Sequence, residues 1–194
     1  MEKAALFDID GTILKCHGAG RLSLERACME VFGTIGLMPE VNFQGKTDPL
    51  ILYESLTSVG FERAEIDSRI DELEERYTEY LSGTIHEHEA LLLPGIVDLL
   101  EKLSAIDGLF IGLLTGNFER GARIKLSRFG LNRYFTFGVF GGDTADRNEM
   151  PPIARRKIRG IFGVDIAFED MIVIGDTVHD VECGRRSGAR TMAS

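Results

Sequence analysis

The chain has 194 residues, 44% hydrophobic and 27% charged, with a formal net charge of −9 and a pI near 5.0. That length and balance suit one ordinary core with room for a smaller second module, and they exclude a disordered or membrane-embedded chain. The acidic balance argues against a general affinity for nucleic acid, so an anionic ligand would need a local exception to the field.

The first apolar stretch, Ala4 to Phe7, reads as a strand that runs into the charged turn of Asp8, Asp10, Gly11 and Thr12. Side chains alternate along a strand, so Asp8 and Asp10 start out on one face, where two carboxylates repel unless a cation or a proton intervenes. After Leu14 the alternation stops, and Leu24, Ala27, Cys28, Val31 and Phe32 recur at the spacing of one helix face. A second helix follows the polar segment Asn42–Thr47, with Asp48 as its N-cap and Pro49 at its first position. A third is expected from Glu62 to about Leu81, its acidic side chains forming a solvated face. Beyond Leu91 the pattern alternates. A helix over Ile96–Leu103 precedes a strand over Leu109–Leu114, and a helix with Phe118, Ala122, Leu126 and Phe129 precedes a strand over Phe135–Phe140. A helix with Ile153, Ala154, Ile158 and Phe162 then leads to a strand over Met171–Ile174. Such alternation predicts an α/β fold, a doubly wound parallel sheet, interrupted after its first strand by an all-helical insertion.

Polar motifs stand at the ends of these strands, the edge where open parallel sheets bind ligands. Thr115, Gly116 and Asn117 leave one strand and start a helix, offering a hydroxyl and backbone N–H groups to an anion. Asp176 and Asp180 follow another, and with Asp8 they make a site for a hard cation. Three cysteines, Cys16, Cys28 and Cys183, have neither disulfide nor zinc spacing and read as reduced thiols. No apolar run approaches the roughly 20 residues of a membrane span. The N-terminus lacks the features of a signal peptide, so a cytoplasmic protein is expected.

The segment DIDGT resembles the first motif, DxDGT, of the haloacid dehalogenase (HAD) superfamily in its phosphatase form, and the later motifs match that family in order and context. The resemblance implies a Rossmann-like core of residues 1–15 and 91–194 with a helical cap of residues 16–90, similar to the phosphoglycolate phosphatase and β-phosphoglucomutase branch. It implies that Asp8 is a nucleophile forming an aspartyl-phosphate, that Asp10 is the general acid and base, and that Thr115 with Gly116 and Asn117 binds the phosphoryl group. Mg²⁺ would be held by Asp8, the backbone carbonyl of Asp10, and Asp176, with Asp180 behind them. Lys46, in the cap segment FQGKTD, would meet the part of the substrate beyond the phosphate.

The family's third motif is a lysine or arginine before the last catalytic strand. No lysine stands at the matching place, and Arg147 is the candidate, whereas Arg155, Arg156 and Lys157 are expected to face solvent. After Gly188–Thr191 the family pattern continues further, so the last strand is expected to be short or missing. The implied activity is hydrolysis of a small phosphorylated metabolite by a monomer or homodimer. The alternatives are a sugar phosphomutase and a catalytically weak phosphate-binding module. A dehalogenase would not need Asp10.

Overall fold

The structure, a computed structural model, describes residues 2–194. Strand β1 (Lys3–Phe7) and the short β2 (Leu14–Lys15) lead into four helices, α1 (Ala19–Phe32), α2 (Asp48–Leu56), α3 (Arg63–Ser68) and α4 (Ile70–Thr84). Then follow β3 (Leu91–Leu92), α5 (Ile96–Ser104), β4 (Leu109–Leu114), α6 (Glu119–Ser127) and β5 (Phe137–Val139). The chain closes with α7 (Met150–Phe162), β6 (Met171–Gly175), α8 (Val178–Ser187) and β7 (Arg190–Ala193).

The main sheet has the order β5-β4-β1-β6-β7, and every neighbouring pair in it is parallel. Its central strand is apolar on both faces. Ala5 and Phe7 pack with Ile111 and Leu113 on one side, and Ala4 and Leu6 with Met171 and Val173 on the other. The period-2 alternation of β1 therefore feeds two helical layers, as expected for a parallel sheet covered on both faces. This is the doubly wound α/β fold that the alternation of apolar segments predicts.

Helices α1 to α4 form the insertion. α1 lays Leu24, Ala27, Cys28 and Val31 in its buried stripe and packs on α4, which contributes Leu73, Tyr77 and Leu81. The chain enters and leaves this helical layer through a two-stranded antiparallel ribbon, Leu14 opposite Leu92 and Lys15 opposite Leu91. Sequence periodicity gave no sign of this pairing because each strand has only two residues.

Two expectations need correction. The helix expected over Glu62–Leu81 is two helices broken at Arg69, whose φ of −117° and ψ of 7° leave the helical region. There the Arg69 guanidinium lies 5.1 Å from the centre of the Phe32 ring, on α1. The N-cap of α2 is Thr47, whose hydroxyl accepts from the Leu50 N–H at 3.2 Å, and Asp48 is the first helical residue with its carboxylate used elsewhere. The last strand, expected to be short or missing, is short: the four residues of β7 pair with β6 from Ile172–Arg190 to Gly175–Ala193. All three cysteines are buried and unpaired. No helix of the described residues is long and apolar enough to cross a membrane.

Candidate active site

Three strand ends meet at one point. Asp8 extends β1 by one residue, its N–H donating to the Ile174 carbonyl at 2.9 Å, and the residue is only 6% exposed. Just beyond, Gly11 has a φ of 87°, and a Cβ there would run into the Asp176 carboxylate, so glycine serves both the turn and the close approach of the two loops. From β6, Asp176 is exposed while Asp180, in the first turn of α8, is buried. Carboxylate oxygens of Asp8, Asp176 and Asp180 lie within 4.8 Å of one another. The side chain of Asp10 does not join this cluster.

Arg147, in a short 3-10 turn before α7, is brought to the same point. Its Nη2 stands 3.3 Å from Asp8 Oδ1 and also donates to Asp180 Oδ1. The other oxygen of Asp180 accepts from the Thr177 N–H and hydroxyl at 3.0 and 2.6 Å, so both oxygens of this aspartate are engaged inside the protein. Burial pushes Asp8 up to about 6 against the pull of the Arg147 guanidinium, with Asp180 and Asp10 adding to the rise and the Thr115 hydroxyl opposing it. Asp176, though exposed, is also raised, mainly by partial desolvation, with Asp180 and Asp10 adding to the rise. Arg155 pairs with Asp165 at 2.9 Å. Lys157 does not simply face solvent as expected, because its Nζ donates to the Gly138 carbonyl at 2.8 Å and to Asp143 at 2.7 Å.

At the end of β4, Thr115 is fully buried and Asn117 is 8% exposed. The Asn117 amide donates to Thr115 Oγ1 and to Asp10 Oδ2, both at 2.8 Å, and its carbonyl oxygen accepts from Lys125 Nζ at 2.7 Å. Lys125 also donates to Asp10 Oδ2 at 2.6 Å. Sequence reasoning missed this lysine. It lies in the last turn of α6, outside any strand end, and only its position among the apolar residues of that helix could have marked it.

The insertion closes over the site through residues 43–48. Asp48 N–H donates to the Gly116 carbonyl at 2.8 Å, and the Thr47 hydroxyl donates to the Ala145 carbonyl at 2.9 Å. A Cβ on Gly116 would collide with the Lys46 carbonyl, so this glycine is what lets the loop come down. Together these elements enclose a cavity of about 440 Å³ with Asp8, Asp10, Thr115 and Asp176 on one wall and Lys15, Arg21 and Lys46 among its lining. Lys46 borders this cavity but its ammonium pairs with Glu54 of α2, so its charge is shared. His179 packs against Gly45 of the same loop.

The Asp48 carboxylate caps a helix of the other layer, accepting from the Phe118 N–H at 2.8 Å. Burial raises it to about 6, with Lys125 and the Phe118 hydrogen bond opposing the rise. Because its folded value lies above the ordinary 3.8, the native state holds this proton more tightly than the unfolded chain does, and stability falls as pH rises from about 4 through 6. Asp48→Asn keeps an acceptor for Phe118 but has no charge to bury. The stability difference between variant and wild type, from urea unfolding, is expected to shift in favour of the variant by about 1–3 kcal/mol between pH 4 and pH 7. A difference that does not change with pH would show that Asp48 is ionised without cost.

A parallel sheet with acidic strand ends under a helical layer defines a class of α/β enzyme that acts on ligands at the C-terminal edge of the sheet. Residues 5–194 match the model of the haloacid dehalogenase-like hydrolases, and the chain belongs to that family. It is 26% identical over 193 residues to a phosphoglycolate phosphatase of Aquifex aeolicus, spanning 97% of this chain and 83% of that protein. In structure it resembles CbbY from Rhodobacter sphaeroides, solved in complex with phosphate, with a TM-score of 0.72 and 18% identity over 100% of this chain and 86% of that one. A hydrolase from Pseudomonas syringae is similar as well, with a TM-score of 0.69 and 21% identity over 100% of this chain and 84% of that one.

Proposed function

We propose that this protein is a Mg²⁺-dependent phosphatase that hydrolyses a small phosphorylated metabolite through an aspartyl-phosphate on Asp8. The observation that carries this reading is the contrast between the two aspartates of one turn. Asp8 is buried beside Arg147 and clustered with Asp176, whereas Asp10 faces the cavity with one oxygen held by Lys125 and Asn117. The first arrangement suits a nucleophile kept among neutralising charges, and the second suits a group that exchanges protons with a ligand.

In this reading Asp8 attacks phosphorus while Asp10 gives its proton to the departing alkoxide oxygen, a poor leaving group without it. Asp10 then takes a proton from the water that attacks the aspartyl-phosphate, which releases inorganic phosphate and restores the Asp8 carboxylate. Thr115, Gly116 and Asn117 cradle the phosphoryl oxygens, and Arg147 offsets their charge. A divalent cation fits Asp8, the Asp10 carbonyl and Asp176, which are hard oxygen donors with Asp180 engaged behind them, and when bound it neutralises charge at the phosphoryl group. Residues 16–90 act as a cap on a core of residues 1–15 and 91–194. Lys46, with Lys15 and Arg21, borders the space beyond the phosphate and favours a substrate with a second anionic group. Three buried unpaired thiols support a reducing, cytoplasmic setting.

The test is a panel of phosphorylated small metabolites with released inorganic phosphate as the readout, run with Mg²⁺, with Ca²⁺ and with EDTA. Turnover is expected with Mg²⁺, little with the larger and more loosely coordinated Ca²⁺, and none in chelator. Undiminished activity in EDTA would remove the cation from the reading. A phosphorylated product without free phosphate would point to a mutase.

A further inference from the structure

The reaction as proposed leaves one buried cation without a part. Lys125 is 4% exposed, and its ammonium sits in α6 rather than on any strand end. Taking an ammonium out of water costs several kcal/mol, so a buried lysine needs partners that hold it charged. Here the Asp10 carboxylate is such a partner, its Oδ2 2.6 Å from the Lys125 ammonium.

Its hydrogen bonds converge on a single oxygen. Lys125 Nζ and Asn117 Nδ2 both donate to Asp10 Oδ2, at 2.6 and 2.8 Å, and Lys125 is itself tied to Asn117 Oδ1 at 2.7 Å. The three side chains form a closed triangle. A carboxylate held at one oxygen by two donors cannot rotate freely, so the other oxygen keeps a fixed direction while the Asp10 side chain remains 45% exposed.

The far wall of this triangle belongs to the insertion. A Cβ on Gly20 of α1 would lie 3.3 Å from Lys125 Nζ and 3.7 Å from the Tyr77 hydroxyl, and one on Gly121 of α6 would lie 2.5 Å from the Tyr77 ring. Glycines at both positions thus bring α1 and α4 close enough to enclose the ammonium. Were the insertion to move off α6, Lys125 would face water, where its electrostatic grip on Asp10 weakens several-fold.

We propose that Lys125 is the positioning residue for Asp10, aligning it for proton transfer when the helical insertion is seated on α6. This rests on the phosphatase reading with Asp10 as acid and base, and it goes beyond that reading by assigning alignment of the acid to a cation shared with the insertion. Lys125 does not touch substrate. Its removal acts on the proton-transfer step alone, and that step matters in proportion to how badly the leaving group needs a proton.

The test uses the full chain with Mg²⁺ and two substrates, p-nitrophenyl phosphate and the best alkyl phosphate of the panel. Lys125→Met is expected to lose about 10–100-fold in kcat on the alkyl phosphate, less than about threefold on the aryl phosphate, and to leave both KM values within about threefold. Methylammonium added to Lys125→Ala is expected to restore part of the alkyl-phosphate rate and to leave the aryl rate unchanged. Equal losses on the two substrates, or rescue of both alike, would overturn the positioning role and make Lys125 a packing residue. If neither of these Lys125 variants folds, Lys125→Gln, which keeps most of the length of the side chain and removes its charge, must show the substrate-selective loss, and equal losses there overturn the proposal as well. Wild-type protein inactive on every phosphomonoester would instead overturn the phosphatase reading itself, and the alignment role with it.

Discussion

Asp8→Asn is expected to lower turnover of every phosphomonoester by about 10⁴-fold or more, the scale of loss when a covalent nucleophile is removed. The amide is nearly the same size as the carboxylate, so the site keeps its shape and loses only the attacking oxygen's charge. The variant should therefore still bind substrate. No phosphorylated protein should accumulate in it, which intact-mass measurement after rapid acid quenching would check against the wild type. Asp10→Asn is expected to behave differently, with hydrolysis of alkyl phosphates falling by about 10²–10⁴-fold and that of aryl phosphates by far less. A variant at Asp8 that retains the phosphoenzyme, or one at Asp10 that slows both substrate types alike, would dismantle the division of roles.

Arg147→Met carries the largest expected effect on stability. Arg147 is 7% exposed and stands between Asp8 and Asp180, themselves 6% and 1% exposed. Methionine fills much of the space but leaves two buried carboxylates facing each other without a cation, a change that costs about 3–5 kcal/mol when one partner of a buried ion pair is lost. The loss depends on pH. Asp8 is already raised to about 6, and without the guanidinium it rises further, so below that value it can take up a proton and the cost shrinks. Denaturant unfolding should show a deficit that is largest near pH 8 and smaller near pH 5. Mg²⁺ should recover part of it, because a cation held by Asp8 replaces some of the missing charge. A variant as stable as the wild type at pH 8 would mean that Asp8 or Asp180 is protonated in the native site whatever Arg147 does.

The sequence by itself determined the sheet and the strand ends. Alternation of apolar runs with amphipathic segments is a local pattern, and the stretches Ala4–Phe7, Leu109–Leu114 and Met171–Ile174 read as buried strands because both faces of β1, β4 and β6 are covered. Asp8, Thr115 and Asp176 were legible for the same reason, since polar residues at the ends of such runs stand out. Arg147 could be picked out as a candidate cation but not located, because a 3-10 turn of three residues has no periodicity.

The tertiary structure alone decided the charges that act across layers. Lys125 is seven residues beyond Phe118 in an ordinary amphipathic helix, and nothing local says that its ammonium is buried or that it meets Asp10. That depends on Gly20 and Gly121 letting α1 and α4 approach α6. Asp48 reads as a cap for its own helix and instead caps the helix that begins after Phe118, since Thr47 has already taken the nearer role. Lys46, expected to meet the part of the substrate beyond the phosphate, is paired with Glu54, eight positions along the chain. Periodicity reports which face of an element is apolar. It carries no information about which charge from a distant element will share that face, because that pairing is fixed only when the layers pack and the low dielectric between them makes an unmatched charge costly.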